Sequence, residues 1–177
     1  QTVVESKIFK SQYTVNKQEI ITWLSTIKSI EVTPEQKGFL DIFSKADAEM
    51  VKAYNLDIIL RHEFNIIRGE ILDASVHGIW SFHHGDNSIN RGSPAGFWEV
   101  YLNQPVVGVT LQKLTAELDG GLVIDRGYFN RHWAFYKTNR NIHEDSVSIL
   151  FKSINRLQQG KLTLSKSPVY YNPLYKV

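Results

Sequence analysis

The sequence predicts an α/β fold, in which a doubly wound, mostly parallel sheet is flanked by helices. Residues 56–60 (LDIIL) form a short apolar run with two adjacent isoleucines, which is typical of a parallel strand covered on both faces. Residues 17–30 and 144–159 carry apolar side chains at helical spacing. Helical segments followed by buried strands are the signature of an α/β domain.

The first half of the chain contains further predicted elements around that strand. A strand is expected near residues 7–10, ahead of the helix over residues 17–30. Ser44 stands where a helix N-cap would, three residues before Asp47, so a second helix is expected to begin there. A short helix is predicted over residues 69–76, after the LDIIL strand.

The second half continues the same alternation. Gly96 precedes an apolar segment that predicts a helix starting at Phe97, and residues 144–159 predict the last helix. We expect one core domain over residues 1–160, with residues 161–177 as a tail that packs on the domain or at an interface. Three further apolar runs are predicted as strands, at residues 78–82 (GIWSF), 106–111 (VVGVTL) and 121–126 (GLVIDR).

The composition is that of an ordinary globular domain and excludes several kinds of site. A chain of 177 residues, 42% hydrophobic and 21% charged, can bury a sizeable core. Its net charge of +2 comes from scattered basic residues, so no nucleic-acid partner is expected. The absence of cysteine excludes disulfides, thiolate metal sites and a cysteine nucleophile. We expect no signal peptide, membrane span or membrane partner, and a cytoplasmic protein whose self-association stays open.

The densest polar cluster is the segment 81–87 (SFHHGDN), where the predicted GIWSF strand ends. Ligands of open α/β sheets bind beyond the carboxyl ends of strands, so this loop is the candidate site. A zinc or iron site is disfavoured because adjacent His83 and His84 on an extended backbone point to opposite faces. A serine nucleophile at Ser81 or Ser93 would need a Gly-x-Ser-x-Gly elbow, which the sequence lacks.

Four motifs in register resemble those of the formyltransferase family, which includes the glycinamide ribonucleotide, methionyl-tRNA and sugar N-formyltransferases. The resemblance spans roughly residues 43–130, with ELDGGLVI as its most specific part. It implies a formyltransferase-like fold and transfer of a formyl group from 10-formyltetrahydrofolate to a primary amine of a small, sugar- or nucleotide-like acceptor, without metal. The motifs lie at residues 82–87, 91–100, 107–111 and 117–124.

The same resemblance assigns catalytic roles. The family's histidine falls on His83 and its aspartate on Asp119, whereas the family's asparagine position holds Ser81. His83 would stabilise the oxyanion and shuttle protons, because an ordinary histidine titrates near neutral pH. Asp119 would hold the imidazole or an ordered water. Ser81 offers only a short hydroxyl where the amide would donate a hydrogen bond to the formyl oxygen.

The donor and acceptor sites are also implied by the resemblance. Arg91 and Gly92 match the family's Arg-Gly after the histidine loop and would bind the substrate. The family's initial βαβ unit is missing or replaced before residue 56, and because the chain begins at Gln1 we expect it to be part of a longer protein. The residues expected to bind the folate are Phe64, Asn65, Ile66, Ile67, Thr115, Glu117 and Leu118.

Two other functions remain open at this point. One is a non-catalytic folate- or sugar-binding module that kept the pocket but lost the family asparagine at position 81. The other is a metal-dependent hydrolase that uses His83, His84 and Asp86 as ligands. Metal analysis of the purified protein would separate the hydrolase from the other two functions.

Overall fold

The structure is a computed structural model that describes residues 17–89, 94–117 and 121–166. Its helices are α1 (Lys17–Ser25), α2 (Lys45–Lys52), a 3₁₀ helix (Glu70–Asp73), α3 (Phe97–Tyr101) and α4 (Phe135–Gln158). Its strands are β1 (Glu35–Lys37), β2 (Leu40–Ile42), β3 (Ile59–Leu60), β4 (Ile66–Arg68), β5 (Ile79–His83), β6 (Val106–Lys113), β7 (Leu122–Asn130) and β8 (Ser165–Lys166).

The strands form two sheets of mixed direction. One sheet has the order β1-β2-β4 and the other has the order β3-β5-β6-β7-β8. The pairs β2–β4 and β3–β5 are parallel, and the other pairs among the described strands are antiparallel. The α/β class is therefore confirmed, but the expectation of a mostly parallel sheet is wrong. Residues 114–121 connect β6 to β7 and are too few for the dozen-residue crossover that a parallel pair requires.

Two hydrophobic clusters hold these layers together. The first joins α2, the 3₁₀ helix and the start of β5 through Ala48, Ile71 and Ile79. The second packs α4 against β6 and β7, with Ile142 and Ile149 covering the apolar face of the larger sheet. Burying such side chains contributes about 1.5–3 kcal/mol each, so α4 fixes the sheet that carries the candidate site.

The predicted helices form, with changed limits. Ser44 caps α2 through a capping box with Asp47, as its sequence spacing predicts. The predicted first helix ends at Ser25 instead of residue 30, whereas the last helix begins nine residues before residue 144, at Phe135. Residues 137–141 are all polar, so the spacing of apolar residues does not show that the helix already includes them.

The predicted strands form with smaller changes. Only Ile59–Leu60 of the LDIIL run pairs in a sheet, while β6 and β7 extend beyond their predicted ends. The predicted strand near residues 7–10 lies outside the described residues. Within the part of the chain that is described, no helix is long and apolar enough to cross a membrane.

Candidate functional site

A cavity of about 210 Å³ opens where β3 and β5 end. These two strands run parallel, with Ile59 opposite Ile79 and Leu60 opposite Trp80, so their carboxyl ends meet at one edge of the sheet. The cavity therefore occupies the position expected for a ligand site in an α/β fold. Its walls are formed by Arg61, Asn65, Ile66, Ile67, Arg68, Phe82, His83, Gln112, Leu114, Thr115, Glu117 and Gly121.

Arg61 is the first residue beyond β3 and lies beside Ser81. Its backbone N–H donates to the Trp80 carbonyl at 2.8 Å, which continues the parallel pairing by one residue. Its Nη1 donates to the Ser81 hydroxyl at 3.0 Å, and its Nη2 donates to the carbonyl of Phe64. Ser81 is only 1% exposed, so its hydroxyl is buried and already engaged with the guanidinium.

The Arg61 guanidinium sits in a desolvated environment. Burial lowers its pKa, while the negative charge of Asp41 opposes that change. Its Nε–H is buried and has no hydrogen-bond partner within the residues that are described. Burying a polar N–H without a partner is costly, so the contacts of Nη1 and Nη2 are what hold the guanidinium in this position.

Asp41 fixes the loop that carries the predicted folate residues. It is 2% exposed on β2, and its carboxylate accepts hydrogen bonds from the Asn65 backbone N–H at 2.7 Å and from Asn65 Nδ2 at 3.3 Å. Charge-assisted bonds of this kind hold a loop in one conformation. They place Asn65 in the wall of the cavity, next to β4.

The two adjacent histidines lie on opposite sides of β5. His83 lines the cavity. The His84 ring stacks on His143 of α4, with centroids 3.8 Å apart, and its Nε2 lies 3.4 Å from the Ser146 hydroxyl. Side chains alternate along a strand, which explains why His83 lines the cavity and His84 packs against α4.

His84 is held in its neutral form by this packing. The pKa of His84 is lowered to about 4, chiefly by burial and then by charge repulsion from the neighbouring His143, His83 and His62. A neutral imidazole packs against another ring without the cost of a buried charge. His84 therefore behaves as a structural residue at neutral pH.

Asp86 belongs to a separate buried network. Its carboxylate accepts hydrogen bonds of 2.5 Å from the Ser88 hydroxyl and from Tyr128. Burial would raise the pKa of Asp86, but these hydrogen bonds and the nearby Arg126 lower it overall. Among the described residues, His83, His84 and Asp86 do not form a group that could hold a metal ion. The structure thus places these three side chains in different surroundings: His83 at the cavity, His84 against α4 and Asp86 in its own network.

Comparison with known proteins adds information on the fold. No protein-family model matches the sequence, and no curated protein matches it. A 4-N formyltransferase from Francisella tularensis is 16% identical, with a TM-score of 0.58 over 75% of this chain and 54% of its own. The N-formyltransferase of Helicobacter canadensis, in complex with folinic acid and dTDP-3-aminofucose, is 18% identical, with a TM-score of 0.57 over 72% and 48%.

A third similar structure comes from a larger protein. HypX of Aquifex aeolicus, in complex with tetrahydrofolic acid, is 19% identical, with a TM-score of 0.52 over 73% of this chain and 22% of its own. The chain shares its fold with these proteins. It spans about half the length of the two formyltransferases, and the formyltransferase-like fold expected from the motifs is confirmed.

The structure brings part of the predicted site together. Phe64 is absent from the wall of the cavity; its ring lies 5.5 Å from that of Phe43, and its carbonyl accepts the bond from Arg61. Ser81 contacts the guanidinium of Arg61 through its hydroxyl. Six predicted residues share the cavity, namely His83, Asn65, Ile66, Ile67, Thr115 and Glu117.

Four predicted residues cannot be assigned a position. Arg91, Gly92, Leu118 and Asp119 lie outside the described residues, so their roles stay predictions. The sequence places Arg61 at the start of the segment 61–68, which resembles the family's pterin-binding segment, but gives its side chain no role of its own, although a charged side chain directly after a buried strand is a usable signal for a residue at a site.

Proposed function

We propose that this chain transfers a formyl group from 10-formyltetrahydrofolate to a primary amine of a sugar- or nucleotide-like acceptor. The observation that carries the proposal is the cavity in which His83 meets five of the residues expected to bind the folate. The fold supports it, because a similar structure is an N-formyltransferase in complex with folinic acid and dTDP-3-aminofucose.

The proposed reaction needs a donor to an oxyanion and a carrier of protons. The amine nitrogen attacks the formyl carbon, and the carbonyl electron pair moves onto oxygen. The tetrahedral intermediate then collapses, the bond from carbon to the folate nitrogen breaks, and that nitrogen takes up the proton that the amine has lost. His83 accepts that proton and returns it, so no net proton is consumed.

The other residues of the site follow from these roles. Asp119 orients His83 or an ordered water and stabilises its protonated form. Asn65, Ile66 and Ile67 present backbone and apolar surface to the pterin, and Thr115 and Glu117 close the opposite wall of the cavity. Phe64 and Leu118 extend the folate site, and Arg91 with Gly92 contacts the substrate.

A folate-binding module without catalysis is the second candidate. One observation favours it: the Ser81 hydroxyl, which stands in place of the family's amide, is 1% exposed and accepts a hydrogen bond from Arg61. Ser81 is also not among the residues that line the cavity, so its hydroxyl does not face the proposed site of the formyl group. The two candidates share the donor pocket and differ only in turnover.

The test compares His83→Ala with His62→Ala, a matched change in an exposed histidine whose side chain is 85% accessible. Each protein is titrated calorimetrically with folinic acid and then assayed for release of tetrahydrofolate from 10-formyltetrahydrofolate, with dTDP-3-aminofucose or hydroxylamine as acceptor. We expect His83→Ala to lose transfer by about 10²–10⁴-fold and to bind folinic acid as the parent does. His62→Ala should keep both properties.

The outcomes separate the two candidates. Binding of folinic acid with no transfer to either amine would favour the binding module. No binding by the parent would contradict both functions. Parallel losses of transfer and of thermal stability in His83→Ala would show that His83 is structural.

A further inference from the structure

Arg61 is the cationic side chain that the structure puts beside both Ser81 and the cavity. Its Nη1 donates to Ser81, and its Nη2 donates to the Phe64 carbonyl, so two contacts on different segments fix the guanidinium. Ser81 and His83 are two residues apart on one strand and therefore face the same side of the sheet, about 7 Å apart. The guanidinium thus lies on the side of β5 that His83 occupies.

The guanidinium can make more hydrogen bonds than it makes to the described residues. A guanidinium carries five N–H groups and accepts none, and Nη1 and Nη2 use one each in these two contacts. The Nε–H is buried within the described part of the chain, so the donors that can face a ligand are the remaining N–H groups of Nη1 and Nη2. A desolvated cation with unused donors at a cavity wall is suited to bind an oxygen that carries negative charge.

Formyl transfer creates such an oxygen. The carbonyl oxygen of the formyl group becomes an oxyanion when the amine adds, and preorganised donors lower the barrier in proportion to the charge that develops. Ser81 does not line the cavity, and its hydroxyl oxygen accepts a hydrogen bond from the guanidinium, so Ser81 can orient Arg61. Arg61 and His83 both line this cavity, at the ends of the paired strands β3 and β5.

We propose that Arg61 is a catalytic residue that donates a hydrogen bond to the formyl oxygen in the transition state, with Ser81 as the residue that positions it. This inference rests on the proposed function. In the family, one amide side chain at the position of Ser81 would donate the hydrogen bond to the oxyanion. Here Arg61 would donate it, and Ser81 would hold Arg61 in place.

The pair predicts a compensating substitution. Arg61→Ala removes the donor and also vacates the space next to position 81, into which the larger amide of Ser81→Asn can extend. An amide N–H is a hydrogen-bond donor of the same kind. The double variant should therefore recover part of the rate that Arg61→Ala loses, which a merely structural arginine would not allow.

The experiment measures kcat and KM for tetrahydrofolate release, with 10-formyltetrahydrofolate as donor and hydroxylamine as acceptor, in the full chain. We expect Arg61→Ala to lower kcat by about 10²–10³-fold, with the dissociation constant for folinic acid changed less than about threefold. Ser81→Asn in that background should raise kcat by about tenfold or more. Arg61→Lys keeps the charge without the planar fork and should fall between the parent and Arg61→Ala.

Arg140→Ala is the matched control, since Arg140 pairs with Glu144 on α4 and does not line the cavity. It should keep the parent kcat. Thermal unfolding of every variant shows whether it folds; if Arg61→Ala does not, Arg61→Lys carries the test.

Two failures have different signatures. If the parent transfers formyl groups and the folded Arg61 variants keep its kcat, or change only KM, Arg61 is not an oxyanion donor and the proposed function stands. If the parent transfers no formyl group, the proposed function is wrong and the role of Arg61 falls with it.

Discussion

Lowering the pH from about 7 to about 5 protonates His84 in the unfolded chain but leaves it largely neutral in the folded protein. The pKa of His84 falls from 6.5 to about 4 on folding, first because the ring is buried and second because His143 lies against it. A group whose pKa is lower in the folded state contributes stability that is complete above the unfolded pKa and is lost as the pH falls toward the folded one. Acidification through this window must therefore destabilise the fold.

The magnitude follows from the two pKa values. Each factor of ten in proton affinity is worth about 1.4 kcal/mol, and integration from about pH 7 to about pH 5 gives about 2 kcal/mol for His84. The ring is only partly buried, and solvent screening reduces the figure, so we expect a loss of about 1 kcal/mol. Most carboxylates titrate below this range of about pH 5 to about pH 7, so they contribute little to the change.

The assay is urea unfolding at several pH values across that window, for the parent and for His84→Gln. Glutamine fills part of the same space but does not titrate. Between about pH 7 and about pH 5, the free energy of unfolding of the variant should therefore fall by about 1 kcal/mol less than that of the parent. His77→Gln is the control, because His77 does not contact the stacked pair, and it should follow the parent. Identical pH slopes for the parent and His84→Gln would refute the reasoning.

Two further predictions concern the packing of Asp86. Tyr128→Phe removes a 2.5 Å hydrogen bond to this 3% exposed carboxylate and should cost about 1–2 kcal/mol; urea unfolding measures it, and Tyr101→Phe, at an exposed tyrosine, should be neutral. Gly108→Ala would bring a Cβ within 2.6 Å of the Asp86 Cβ and should cost about 1–3 kcal/mol. A Cβ at Gly127 would meet only side-chain atoms of Ile149 and Phe129, whereas one at Gly108 also meets the Asp86 backbone, so Gly127→Ala should cost less and equal losses would contradict the argument.

Local signals in the sequence predicted most of the elements. The Ser44 cap, the strand that ends at His83 and the helix that begins at Phe97 each depend on residues a few positions apart. The position of His83 at a strand end depends on the same local pattern. These features could be read from one chain because neighbouring residues carry the whole signal.

Strand direction could not be read in the same way. The VVGVTL run is buried whether its partner is parallel or antiparallel, since burial depends on the layers above and below the sheet. The length of the 114–121 connection was the available signal, and it favours the antiparallel pair that β6 and β7 form. The early start of α4 at Phe135 was hidden because Thr138, a polar residue, is one of its fully buried positions.

The contact between Arg61 and Ser81 shows why the candidate site itself was only half predictable. Its two residues are 20 positions apart and meet because β3 pairs in parallel with β5 in one register. A shift of one residue in that register would turn the guanidinium away from the serine, because alternate side chains face opposite sides of a sheet. The sequence could show that position 81 holds a hydroxyl, but only the pairing shows that an arginine fills the space beside it. The chemistry of the site therefore depends on the pair, and a substitution at one member has to be interpreted together with the other.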